Sequence, residues 1–202
     1  MLALALIALA TCGAVQATTT KVGIDLAQMA QRIPTATLDH RGGIPGTLEI
    51  GGLLGWGNGK VYDAARTPTS ISQVMVRVAW QAQRMRGNVA LVVEGVGAWI
   101  DQDPGASGIG LNLLFRYTWD ADRWLPMFLG GAGILYTNAQ VPPGETTRNF
   151  TPQVGLGLQY LVHDQVAIGG EYRFHHLSNK GATKTNPGIN THLMLFGISW
   201  YR

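Results

Sequence analysis

Residues 108–119 place an apolar side chain at every second position: Ile109, Leu111, Leu113, Phe115, Tyr117 and Trp119. Gly110, Asn112, Arg116 and Thr118 lie between them. Successive side chains of a β-strand point to opposite faces, so this stretch has one apolar face and one small or polar face. The same period sets Val74, Val76, Val78 and Trp80 against Gln73, Met75, Arg77 and Gln81. It also sets Val154, Leu156, Leu158 and Tyr160 against Gln153, Gly155, Gly157 and Gln159, and near the C-terminus it aligns Met194, Phe196, Ile198 and Trp200. Charged residues inside and hydrophobic ones outside invert the pattern of a soluble protein. That inversion fits a transmembrane barrel, whose outside meets lipid and whose lumen is polar.

From residue 47 onward the chain divides into eight segments of 11 to 13 residues, close to the length a tilted membrane strand needs. They are residues 47–57, 71–83, 89–100, 108–119, 124–136, 150–162, 166–178 and 190–201. The first, third and fifth alternate less cleanly. Connections after odd-numbered segments are long (58–70, 101–107, 137–149 and 179–189), and those after even-numbered segments are short (84–88, 120–123 and 163–165). Short periplasmic turns alternating with longer external loops belong to outer-membrane barrels. The expected fold is therefore all-β: an eight-stranded antiparallel transmembrane β-barrel over residues 47–202, preferred to a lipocalin-like barrel or a sandwich.

Composition removes other classes. No apolar run reaches the roughly 18 residues that a spanning helix needs. A net charge of +3, without a basic run or zinc-ligand spacing, gives no case for nucleic acid. Leu2 to Ala10 form an apolar run and Val15-Gln16-Ala17 offers small residues for cleavage, so residues 1–17 read as a signal peptide. Removal of Cys12 with it leaves no thiol for a disulfide, thiol catalysis or a metal. Residues 18–46 read as a periplasmic N-terminal extension. Eight strands leave a lumen that side chains fill, so a pore is not expected. Arg77, Arg116, Arg173, Glu94 and Glu171, with Gln73, Asn112, Gln153 and Gln159, are assigned to that interior, where charges must pair.

One apolar face ends differently. In the seventh segment Val166, Ile168, Tyr172 and Phe174 share their face with His176 and Ser178. A histidine and a serine on a lipid-facing wall need a reason, because polar groups are costly there. Two residues apart on one strand face, their backbones are ~7 Å apart, and the side chains can close that gap as a base and its nucleophile do. Asn179 and Gly181 follow where the strand gives way to a loop, placed to donate hydrogen bonds to an oxyanion. His175 points inward by parity.

The run Tyr172-Arg173-Phe174-His175-His176-Leu177-Ser178-Asn179, followed by Asn186-Pro187-Gly188, resembles the signature of the PagL-type lipid A 3-O-deacylases. That resemblance implies an integral enzyme of the bacterial outer membrane. It would hydrolyse the ester at the 3 position of lipid A, with His176 as base, Ser178 as nucleophile, and Asn179 and Gly181 as oxyanion hole. The family pattern carries a glutamate, which orients the histidine, where this chain has Asn190, and an amide can hold an imidazole but cannot stabilise imidazolium as a carboxylate does. Parity supports the location, since Asn190 lies on the outer face of the adjacent strand, and His192 on the same face is the other candidate partner for His176. The implied partner is lipid A, or lipopolysaccharide, in the outer leaflet; a homodimer is allowed, and no cofactor or metal is called for. Lys180 and Lys184, beside the site, are candidates for holding the phosphorylated headgroup, with Lys60, Arg66 and Arg148 in other loops. Asp63, Asp101, Asp103 and Glu145 in the same loops allow all of these to be ordinary solvated charges. The alternative to an esterase is a non-catalytic small barrel with a structural or adhesive role, in which His176 and Ser178 are replaceable.

Overall fold

The computed structural model describes residues 48–61, 67–84, 87–119, 121–179, 181 and 188–202. The expected signal peptide and N-terminal extension lie outside them. The strands are β1 (Leu48–Val61), β2 (Pro68–Arg84), β3 (Gly87–Asp101), β4 (Ala106–Trp119), β5 (Trp124–Val141), β6 (Thr146–Phe150), β7 (Gln153–His163), β8 (Val166–Leu177) and β9 (Ile189–Tyr201). Each pairs antiparallel with its neighbours, and the β1–β9 ladder, from Glu49↔Tyr201 to Val61↔Ile189, closes the sheet on itself. Among the described residues there is no helix.

Strands β6 and β7 are one stave. Phe150 faces Ile134 and Gln153 faces Gly131, so the register against β5 is unbroken. Between them Thr151 and Gly133 exchange both backbone bonds, at 2.8 and 3.0 Å. The interruption falls at Pro152, which has no N–H to give a ladder. Counted this way the molecule is a closed eight-strand antiparallel barrel, as the alternation predicts.

The apolar faces point outward. On β4, Ile109 is 73% and Phe115 64% exposed, whereas Asn112, Leu114, Arg116 and Thr118 are buried. Trp80, Trp119, Trp124 and Trp200 ring the wall towards the short-turn end, and Trp56, Trp99, Tyr136 and Tyr172 lie towards the opposite rim. Two aromatic belts around an apolar band mark the two interfaces of a membrane protein.

Inside, three arginines meet three glutamates. Arg77 donates to Glu94 and Glu171, each at 2.6 Å, and Arg173 donates to the same two at 2.7 and 2.6 Å. Arg116 pairs with Glu49, which also accepts from the Ser199 hydroxyl at 2.7 Å. Asn112 adds a bond to Glu94, and Gln153 accepts from Arg173. Burying ions costs several kcal/mol each, and only such mutual pairing offsets it. Glu49 is the anion absent from the sequence reading, because the first strand alternates poorly.

The rim departs from expectation. Parts of two stretches read as long loops are strand: β1 runs on to Val61, β2 starts at Pro68, and β5 runs on to Val141. Asn58, Gly59 and Lys60 pair with Ser70, Thr69 and Pro68. These stretches rise above the apolar band, where no lipid enforces alternation, so composition alone makes them look like loops.

Candidate active site

His176 stands near the rim end of β8, opposite Asn190 on β9. Parity turns both outward, and their side chains meet: His176 Nδ1 lies 2.6 Å from Asn190 Oδ1. An amide oxygen only accepts, so Nδ1 carries a proton, and in the neutral ring this leaves the Nε2 lone pair that a general base requires. Gly188 closes the other side of the ring with φ +60°, a conformation that L side chains rarely adopt. A Cβ added there would lie 2.7 Å from His176 Cε1 and 3.2 Å from Nε2.

His192, the other candidate partner, is engaged elsewhere. Its Nδ1 lies 2.6 Å from the Tyr172 hydroxyl, and its ring contacts Tyr172 and Phe174. Asn190 therefore takes His176. Below the pair the wall is apolar: Tyr172, Phe174, Met194 and Phe196 are exposed, and Trp56 stacks on Phe196 with ring centroids 5.5 Å apart.

Ser178 follows two residues after His176, just past the end of β8, and the β6/β7 stave holds it by its backbone. Phe150 N donates to Ser178 O at 2.7 Å and Ser178 N donates to Phe150 O at 3.0 Å. The His176 N–H donates to Pro152 O at 3.0 Å. Pro152 has no N–H to return to the His176 carbonyl, so this ladder lacks one bond beside the imidazole.

The two residues assigned to an oxyanion hole bond to each other. Gly181, at φ +79°, donates its N–H to Asn179 Oδ1 at 2.9 Å. Asn179 Nδ2 donates to Glu145 Oε2 at 2.7 Å. Glu145, read from sequence as a loop charge, is 9% exposed. It precedes the stave that neighbours the histidine strand, and that adjacency is the signal that places it at the same rim. Lys180 and Lys184 lie outside the described residues, while His175 is buried in the lumen as parity requires. Among the described residues no group of histidines, cysteines and carboxylates could hold a metal ion.

Barrel, aromatic belts and charged interior define an integral outer-membrane protein, here with a polar cluster on its outer wall. The family described as lipid A 3-O-deacylase (PagL) matches residues 73–199, a range that includes His176, Ser178 and Asn190. The chain belongs to this family. The fold is similar to the crystal structure of the outer membrane enzyme PagL, with a TM-score of 0.58 and 16% identity over 74% of this chain and 97% of that one. It is similar to Neisserial surface protein A as well, with a TM-score of 0.57 and 9% identity over 77% of this chain and 97% of that one. At such identities the likeness is one of fold. A search of curated proteins finds no match.

Proposed function

We propose that this chain removes the 3-O-linked acyl chain of lipid A, with Ser178 as nucleophile, His176 as general base and Asn190 orienting the base. The observation that carries the reading is the 2.6 Å bond from His176 to Asn190 on the outward-facing wall, two residues before Ser178 in the chain. His176 Nε2 takes the hydroxyl proton as Ser178 Oγ attacks the ester carbonyl. The oxyanion replaces Asn179 Oδ1 on the Gly181 N–H and draws a second bond from the Asn179 amide. His176 then gives its proton to the departing sugar oxygen. Water, deprotonated by His176, attacks the acyl-serine; the bond from Ser178 Oγ to the acyl carbon breaks, His176 returns the proton to Oγ, and the fatty acid leaves.

The rim that carries the site faces outward in this reading, as the longer connections of outer-membrane barrels do. A substrate dissolved in that leaflet reaches the wall without leaving the membrane, and its acyl chain lies along Phe174, Met194 and Phe196. Lys180 and Lys184 are proposed to meet its phosphates.

An alkyl fluorophosphonate tests the nucleophile, because it phosphonylates only an activated serine. The expected adduct maps to the peptide containing Ser178, and lipid A competes with it. A folded barrel that stays unlabelled would favour the non-catalytic, structural or adhesive reading.

Two substitutions probe the histidine. Asn190→Glu is expected to raise kcat about tenfold, because a carboxylate stabilises the imidazolium that an amide only orients. Gly188→Ala is expected to lower kcat on the order of 10²-fold by displacing the ring. Initial rates of fatty-acid release from lipid A in detergent check both.

A further inference from the structure

The β5–β6 hairpin reaches the segment after β8 at two points. Phe150 fixes the backbone of Ser178 through a pair of hydrogen bonds, and Glu145 holds the side chain of Asn179. A carboxylate is seldom buried unless paired or hydrogen-bonded. The Glu145 N–H donates to the Pro142 carbonyl at 3.0 Å, which closes the turn that presents this side chain.

We infer that Glu145 is a positioning residue that orients the Asn179 amide for the oxyanion; the inference rests on the esterase reading above. The bond to Glu145 Oε2 sets which end of the amide faces which neighbour: nitrogen to the carboxylate, oxygen to the Gly181 N–H. An amide nitrogen carries two N–H groups, so anchoring one fixes the direction of the other. Bonds in a chain polarise one another, and a charged acceptor at its end strengthens the donors before it. When the oxyanion arrives, the Gly181 N–H exchanges Asn179 Oδ1 for it. Asn179, tied to Glu145, stays in place rather than following. The hairpin thus contributes to transition-state stabilisation without touching the substrate.

The test compares wild type, Glu145→Ala and Glu145→Gln on lipid A in detergent micelles, together with hydrogen exchange of the Gly181 amide. Glu145→Ala is expected to lower kcat 10- to 100-fold, the range for groups that support a reacting site, with KM within about twofold of wild type. Glutamine keeps an acceptor oxygen, so Glu145→Gln is expected to stay within about fivefold of wild type. The Gly181 amide is expected to exchange about tenfold faster in Glu145→Ala, because its acceptor is no longer held. Wild-type kcat in a folded Glu145→Ala barrel overturns this role alone, as does equal loss in both variants accompanied by equal loss of thermal stability. Failure of the wild type to hydrolyse lipid A overturns the esterase reading and this role with it.

Discussion

Ser178→Ala is expected to reduce release of fatty acid from lipid A on the order of 10³-fold or more, because a serine esterase without its nucleophile keeps only what binding and the oxyanion site supply. The variant leaves the fold intact. Ser178 joins the barrel through its backbone N–H and C=O, both paired with Phe150, and alanine preserves both bonds. His176→Ala is expected to match it, since nucleophile and base act as a unit. The measurement is the initial rate of release, with heat-modifiable migration on a gel to show that each barrel is folded. A folded Ser178→Ala protein with more than a tenth of wild-type activity would remove Ser178 from the mechanism.

The largest expected effect on stability comes from the lumen. Glu94→Ala takes one carboxylate from between Arg77 and Arg173, which both donate to it while also sharing Glu171. Three arginines then face two glutamates, and Arg77 and Arg173 keep only Glu171 of the two carboxylates they share. Breaking a buried ion cluster at one member costs about 3–5 kcal/mol, because the charge left behind is buried and underpaired. Urea unfolding in detergent or lipid vesicles, followed by tryptophan fluorescence, should show that loss as a lower midpoint. A loss below about 1 kcal/mol would mean that water enters the lumen and screens the cluster.

The staves were legible from sequence because lipid on one side and a filled lumen on the other impose opposite demands on alternate residues. Arg77, Arg116, Arg173, Glu94 and Glu171 could be placed inside by counting from their outward neighbours. Glu49 could not, since its strand continues through Gly51, Gly52 and Gly55 and offers little contrast between faces. Above the membrane the same logic ends. Asn58 to Lys60 pair in register with β2, yet their composition is that of a loop.

The site divides along the same line. Parity assigns His176, Ser178 and Asn190 to the outer face; the register sets His176 opposite Asn190 and decides between Asn190 and His192 as its partner, while Ser178, just past the end of β8, is buried. Glu145 meets Asn179 across 34 residues of sequence, through a hairpin whose length composition overstates as loop. Such a contact belongs to tertiary structure, and no local pattern announces it. Pro152 interrupts the sixth segment. Its position opposite the histidine emerges only with the β7–β8 register extended past Gln153↔His175.

The most direct test of the central claim is mass spectrometry of hexa-acylated lipid A after incubation with the folded, detergent-solubilised wild-type protein. The account predicts loss of a single acyl chain, assigned by fragmentation to the ester at the 3 position, with the amide-linked chains untouched. Intact lipid A in the presence of a folded barrel would contradict it and leave a small outer-membrane barrel with a structural or adhesive role.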